Sequence, residues 1–98
     1  MALSVPSVGG SAAVIAQFDT ESDVLYLSLG EAVASYSEER PNGVILRWAY
    51  DGGWPSGVTV IGFRGHQWRV KAKELSDLAA AHLGVNWEEV KAEIRRVT

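Results

Sequence analysis

The sequence predicts an α+β fold: an antiparallel β-meander of about five strands, then two C-terminal helices packed on one face. Three observations carry this. Between residues 12 and 63, apolar residues recur in short runs bounded by Gly, Pro, Asn and Asp, the pattern of strands and turns. From about residue 70 the apolar spacing changes to three and four, the pattern of a helix. Strands gathered first and helices last describe a sheet with helices on one side. The 98 residues suit one domain. Residues 1–11 are small and polar with Pro6, Gly9 and Gly10, and are expected to form a flexible arm. Residues 12–98 then make the single domain, with strands over 12–63 and helices over about 70–98.

The elements follow in order. "AAVIAQF" is the first strand, and "DTESD" is a turn whose side chains can bond their own backbone. "VLYLSL" is the second strand and "AVASYSEE" the third. "RPNG" turns the chain, because proline presets φ and Asn42-Gly43 tolerates positive φ. "VILRWAY" is the fourth strand, "DGGWPSG" a glycine-rich loop and "VTVIGF" the fifth strand. Short connections favour pairing between neighbours in sequence, hence the meander. Leu75, Leu78, Ala79, His82 and Leu83 line one stripe of the first helix, and Gly84 is placed for a left-handed cap. Asn86 suits an N-cap with Glu89 completing a capping box. Trp87, Val90, Ile94 and Val97 line the second helix.

Both faces of the predicted sheet carry apolar residues. Val44, Leu46, Trp48 and Tyr50 alternate with Ile45, Arg47 and Ala49, and Leu25, Leu27 and Leu29 with Val24, Tyr26 and Ser28. Two short helices cover one face only. The second face, or an edge strand, is therefore expected to meet a partner, most simply a second copy in a homodimer.

Composition narrows the function. The chain has no cysteine, which excludes a disulfide framework, thiolate zinc sites and a cysteine nucleophile. The absence of cysteine suits a reducing cytoplasmic setting, and no apolar run is long enough for a signal peptide or a membrane span. Net charge is −3, with four basic residues against seven acidic ones in residues 1–69 and five of each in residues 70–98. That balance supplies no broad basic face, so nucleic acid is not the expected partner.

Residues 18–63 resemble the small bacterial and archaeal proteins grouped as domain of unknown function 2283. The resemblance lies in Phe18-Asp19, the acidic Glu21 and Asp23, Leu25-Tyr26-Leu27, Glu38-Glu39, Gly43-Val44-Ile45-Leu46, Asp51-Gly52 and the run Val58 to Ile61. The chain departs from that pattern at Arg47-Trp48, at Trp54-Pro55 and in a longer helix pair. The family carries no assigned catalytic residues, so none transfer. Some of its members look like partners of small toxin-like proteins, so the resemblance implies an antitoxin-like partner role.

No residue set points to catalysis, a metal or a cofactor. Asp19, Glu21 and Asp23 alternate like the start of a calcium loop. Its sixth and twelfth positions, Gly and Glu there, are Val24 and Gly30 here, which leaves a solvated acidic turn. His66 and His82 lack companions at ligand spacing. Glu88 and Glu89 point about 100° apart on a helix and suit its positive N-terminus. No serine sits in a glycine-flanked elbow. The candidate interaction surface comprises Trp54 in its glycine-rich loop, Trp48, Tyr26, Arg64 and Trp68. Trp54 is expected to fold back on the core or into a dimer contact, and Trp68 to close the passage from sheet to helices.

The alternative is a DNA-binding helix-turn-helix over 75–97. Ala80, Leu83, Gly84, Val85 and Val90 fit its spacing. Glu93 stands where an apolar residue belongs, and Glu88 and Glu89 would face the phosphates. The pair therefore reads first as a packing corner.

Overall fold

The computed structural model describes residues 13–98; the expected arm at 1–11 lies outside them. The strands are β1 (Val14–Asp19), β2 (Val24–Leu29), β3 (Ser35–Glu39), β4 (Val44–Ala49) and β5 (Pro55–Ile61), followed by α1 (Ala72–Leu83) and α2 (Trp87–Val97). All pairings are antiparallel, and both helices follow the sheet and pack against it.

The strand order corrects the meander: it is β1-β2-β5-β4-β3. β5 inserts between β2 and β4, and β2 and β3 do not pair. The reason is polarity. In a meander "SYSEE" would be the central strand and "PSGVTVI" an edge. The fold exchanges them. β5 is buried from Ser56 to Val60, while four of the five β3 residues are exposed. A strand buried on both faces must be apolar or β-branched, and a charged strand belongs at the edge. The exchange forces residues 30–34 to run from the end of β2 to the far edge of the sheet. Hydrogen bonds hold that crossing at both ends, from the Gly30 amide to the Ala13 carbonyl (2.8 Å) and from the Tyr50 amide to the Ala34 carbonyl (3.1 Å).

Inward residues alternate as strand geometry requires. Val14, Ala16, Leu25, Leu27, Leu29, Val44, Leu46, Val58 and Val60 form the sheet side of the core. Leu75, Ala79, Ala80 and Leu83 of α1 and Val90 and Ile94 of α2 form the other side. Ser76 is buried among them, and its hydroxyl has no hydrogen-bond partner. β5 starts three residues before the expected Val58. The β4–β5 register slips between Arg47 and Trp48, which pair with Gly57 and Pro55, leaving Ser56 of β5 as the extra residue.

The turns follow their residues. Asn42 and Gly43 both take positive φ. At Gly43 space as well as φ demands glycine, since a Cβ would lie 1.9 Å from the Ile61 carbonyl oxygen. Gly84 caps α1 at φ 73°. Asn86 caps α2, its side chain accepting from the Glu88 amide at 2.7 Å. The expected capping box is only half made, because the Glu89 carboxylate turns away from Asn86 to the sheet.

Candidate functional site

The two edges of the sheet are finished differently. α2 lies beside β1. Its Glu89, Glu93 and Arg96 occupy one face of the helix, at i, i+4 and i+7. The Val14 amide donates to Glu89 Oε2 (3.3 Å) and the Ala16 amide to Glu93 Oε1 (3.1 Å). Arg96 Nη2 donates to the Ala16 carbonyl (3.1 Å), and its Nε pairs with Glu93 at 3.0 Å. Three outward backbone groups of β1, the Val14 and Ala16 amides and the Ala16 carbonyl, are thus taken by side chains of α2, while the outward groups of Phe18 have no partner among the described residues. The Arg96 hydrogen bond holds the Glu93 carboxyl below its ordinary value. Burial opposes this, and the Ala16 amide adds to it.

The β3 edge has no such cover. The Arg40 amide donates to the Val44 carbonyl and the Tyr50 amide to the Ala34 carbonyl. In an antiparallel ladder this turns Ala34, Tyr36, Glu38 and Arg40 toward β4, and the amides and carbonyls of Ser35, Ser37 and Glu39 outward. Those outward backbone groups have no hydrogen-bond partner among the described residues. On the helix side, beside this edge, Tyr36 stacks on Trp48 with centroids 5.7 Å apart and meets Tyr50 at 5.9 Å. Trp48 in turn meets the His82 ring edge-on at 4.8 Å, and His82 Nε2 lies 2.9 Å from the Arg47 carbonyl. Tyr36 is 46% exposed and Tyr50 70%. An aromatic strip therefore borders an unpaired strand.

The five sequence-chosen residues do not gather at one place. Trp48 belongs to this strip. Tyr26 stands on the open face of the sheet, with Ile15 and Ile61, all partly exposed as expected of an uncovered apolar face. Polar Gln17 and Arg47 are interspersed among them. Trp54 is half-buried and packs against the core. Trp68 is buried and donates from Nε1 to the Asn42 carbonyl at 3.0 Å, closing the passage into α1. Arg64, Trp68 and Arg69 form no joint patch. Arg64 stacks over Phe18 and pairs with Asp23, Arg69 donates to the Thr98 carbonyl, and Lys71 lies over Trp68.

Asp23 is the residue that the acidic turn conceals. Its carboxylate accepts from the Arg64 amide (2.8 Å), the Gly65 amide (3.0 Å) and Arg64 Nε (3.1 Å), which ties the β1–β2 turn to the segment leaving β5. The Arg64 amide is the largest influence holding its carboxyl below the ordinary value. Burial opposes this, and the Gly65 amide and the guanidinium add to it. Only the acidic residue at 23, among three in the turn, has this role, and no local pattern marks it out.

Among the described residues no three His, Asp or Glu side chains gather in a metal-holding group. Asp77 goes instead to Lys73 at 3.0 Å. Among the same residues no helix is long and apolar enough to cross a membrane. Comparison with family models, curated proteins and solved structures gave no match.

Proposed function

We propose that the chain is a protein-interaction module that self-associates by extending its sheet across the β3 edge. The observation that carries this is the asymmetry of the two edges, one closed by Glu89, Glu93 and Arg96 and the other open beside Tyr36, Trp48 and Tyr50. An unpaired strand is a template for another strand, and exposed aromatic side chains are typical anchors of interfaces.

The β3 sequence suits a two-fold axis at Ser37. Antiparallel pairing there sets Ser37 against Ser37 of the partner subunit, Glu39 against Ser35 of the partner subunit and Glu38 against Tyr36 of the partner subunit. The outward groups of Ser35, Ser37 and Glu39 then form the hydrogen-bonded pairs, and no like charges stand directly opposite. The helix pair gives less support to DNA reading. Glu89, in the first turn of the would-be reading helix, is bound to β1, and Glu88 beside it is acidic.

Light scattering across a concentration series tests the proposal. A dimer is expected for the unaltered chain. Ser37→Pro should give a monomer, because it removes a hydrogen-bond donor that faces outward and supports no contact within the chain. Ser37→Lys should do the same by opposing two cations across the axis. A monomer at every concentration, or a dimer indifferent to both changes, refutes the proposal.

A further inference from the structure

The uncovered face of the sheet is not flat. The crossing at residues 30–34 forms one wall of a cleft of about 620 Å³, within the range of small-molecule sites. Ile15, Tyr26 and Val33 line its apolar part, and Gly57 and Thr59 lie in the sheet beneath. Arg47 also lines it.

Arg47 is the half-buried arginine without a partner among the described residues; Arg95, which has none either, is exposed. Arg40, Arg64 and Arg96 each pair with a carboxylate, and Arg69 donates to a carbonyl. Arg47 is half-buried and has no ion pair or side-chain hydrogen bond among the described residues. Its place follows from the register, which sets it between Ser37 on β3 and Gly57 on β5. A Cβ on Gly57 would lie 2.5 Å from the Leu27 carbonyl oxygen but at an ordinary contact distance of 3.7 Å from Arg47 Cδ, so the neighbouring strand demands glycine there and the Arg47 stem runs alongside it. A partly dehydrated guanidinium without a counter-charge is costly, and a planar carboxylate is the group its fork fits.

We propose that this cleft binds a small organic carboxylate with a compact apolar body, the carboxylate held by Arg47 and the body lying against Ile15, Tyr26 and Val33. The site does not depend on self-association through β3. Glu31, on the crossing, is the only carboxylate among the described residues that lines the cleft. It would favour a ligand that also carries an ammonium group, so a simple carboxylic acid and an α-amino acid are the two sources of the same chemistry.

The test is a two-dimensional NMR titration of the full chain with benzoate, phenylalanine and benzamide in parallel. Benzoate or phenylalanine should give saturable shifts at the Arg47 side-chain Nε–H and at the amides of Gly57 and Ser28. Benzamide, which keeps the ring and loses the charge, should bind at least about tenfold more weakly. Arg47→Gln should weaken the carboxylate by a similar factor. Tighter binding of phenylalanine than benzoate, lost on Glu31→Gln, assigns the amino acid; the reverse order assigns the simple acid. Equal binding of benzamide overturns the proposal. So does the absence of saturable cleft shifts from any of the three, or an Arg47→Gln variant that binds benzoate unchanged. Should Arg47→Gln fail to fold, the contrast between benzoate and benzamide on the unaltered chain still decides.

Discussion

Replacing Ser76 with alanine should stabilise this protein, which is the reverse of what most core substitutions do. Ser76 lies in α1 with no solvent exposure, and its hydroxyl is the one buried side-chain polar group without a hydrogen-bond partner among the described residues. A buried, unpaired hydroxyl costs about 1–3 kcal/mol of desolvation. Alanine removes that cost and gains up to about 0.7 kcal/mol of helix propensity. Against this stands the loss of one atom's packing contacts, at about 0.1–0.2 kcal/mol for each contacting pair. The net expectation is a gain of about 1 kcal/mol, seen as a rise in Tm of roughly 4–8 °C for a domain of this size. Ser56 supplies the contrast. It is 5% exposed, and its hydroxyl meets the Ser35 hydroxyl at 2.8 Å. Ser56→Ala should therefore destabilise by about 0.5–1.5 kcal/mol. Urea unfolding of the two variants beside the parent gives both signs in one experiment. A loss of more than about 0.5 kcal/mol for Ser76→Ala would refute the reasoning, since it would mean that the hydroxyl has a partner, the Ala72 and Lys73 carbonyls one turn back being the candidates.

Two further outcomes follow from the same geometry. Gly43→Ala should cost more than about 3 kcal/mol, because positive φ and a Cβ placed 1.9 Å from the Ile61 carbonyl act together. Gly84→Ala has nothing within 4 Å and should cost only the left-handed penalty of about 1–2 kcal/mol; equal losses in thermal unfolding would remove the steric part of the explanation. The carboxyls of Asp23 and Glu93 are held below their ordinary values, so the folded state binds fewer protons there than the unfolded chain. Their stabilisation is complete above the unfolded values of about 4 and is lost as pH falls through the lower folded values. In acid titrations followed by circular dichroism, Asp23→Asn and Glu93→Gln should flatten the decline in stability below about pH 4. An unchanged slope would show that neither carboxylate is tied to the fold.

The sequence made the element types legible, but not their arrangement. β2 and β4 stand where the apolar alternation put them, and α1 and α2 end and begin at Gly84 and Asn86. Those are local signals: side-chain period, a left-handed glycine and an N-cap. The strand order depends on which strand best tolerates burial on both faces, so it requires comparing strands with one another. The polarity of "SYSEE" beside "PSGVTVI" held that information, and a preference for pairing neighbours in sequence overrode it. The edge cover was less accessible still. Glu89 and Glu93 fall one turn apart beside the stripe of Val90 and Ile94, which marks them as lying near the core boundary. That they would meet the amides of β1 depends on contacts about 75 residues apart in sequence. Asp23 and Arg47 also owe their environments to distant neighbours, namely the segment after β5 for Asp23 and the strands β3 and β5 on either side of Arg47.

The helix pair shows how one pattern can serve two ends. Its alanine stripe, glycine cap and asparagine cap satisfy the outline of a DNA-reading corner because any tight helical corner needs them. What distinguishes the two uses is the polar face of the second helix. A reader presents groups to a phosphate backbone, and carboxylates there would repel it. A helix beside a strand edge needs acceptors for amides and a donor for a carbonyl. Glu89, Glu93 and Arg96 are two acceptors and a donor, spaced one turn apart, and each is engaged with β1. α2 therefore works as a substitute for a sixth strand on that side. Helix side chains occupy three outward backbone groups of β1 and none of β3, so in the proposed assembly strand addition is directed to β3. An interface that uses the β3 edge alone pairs two copies about a two-fold axis, which is how the proposed assembly would close rather than extend.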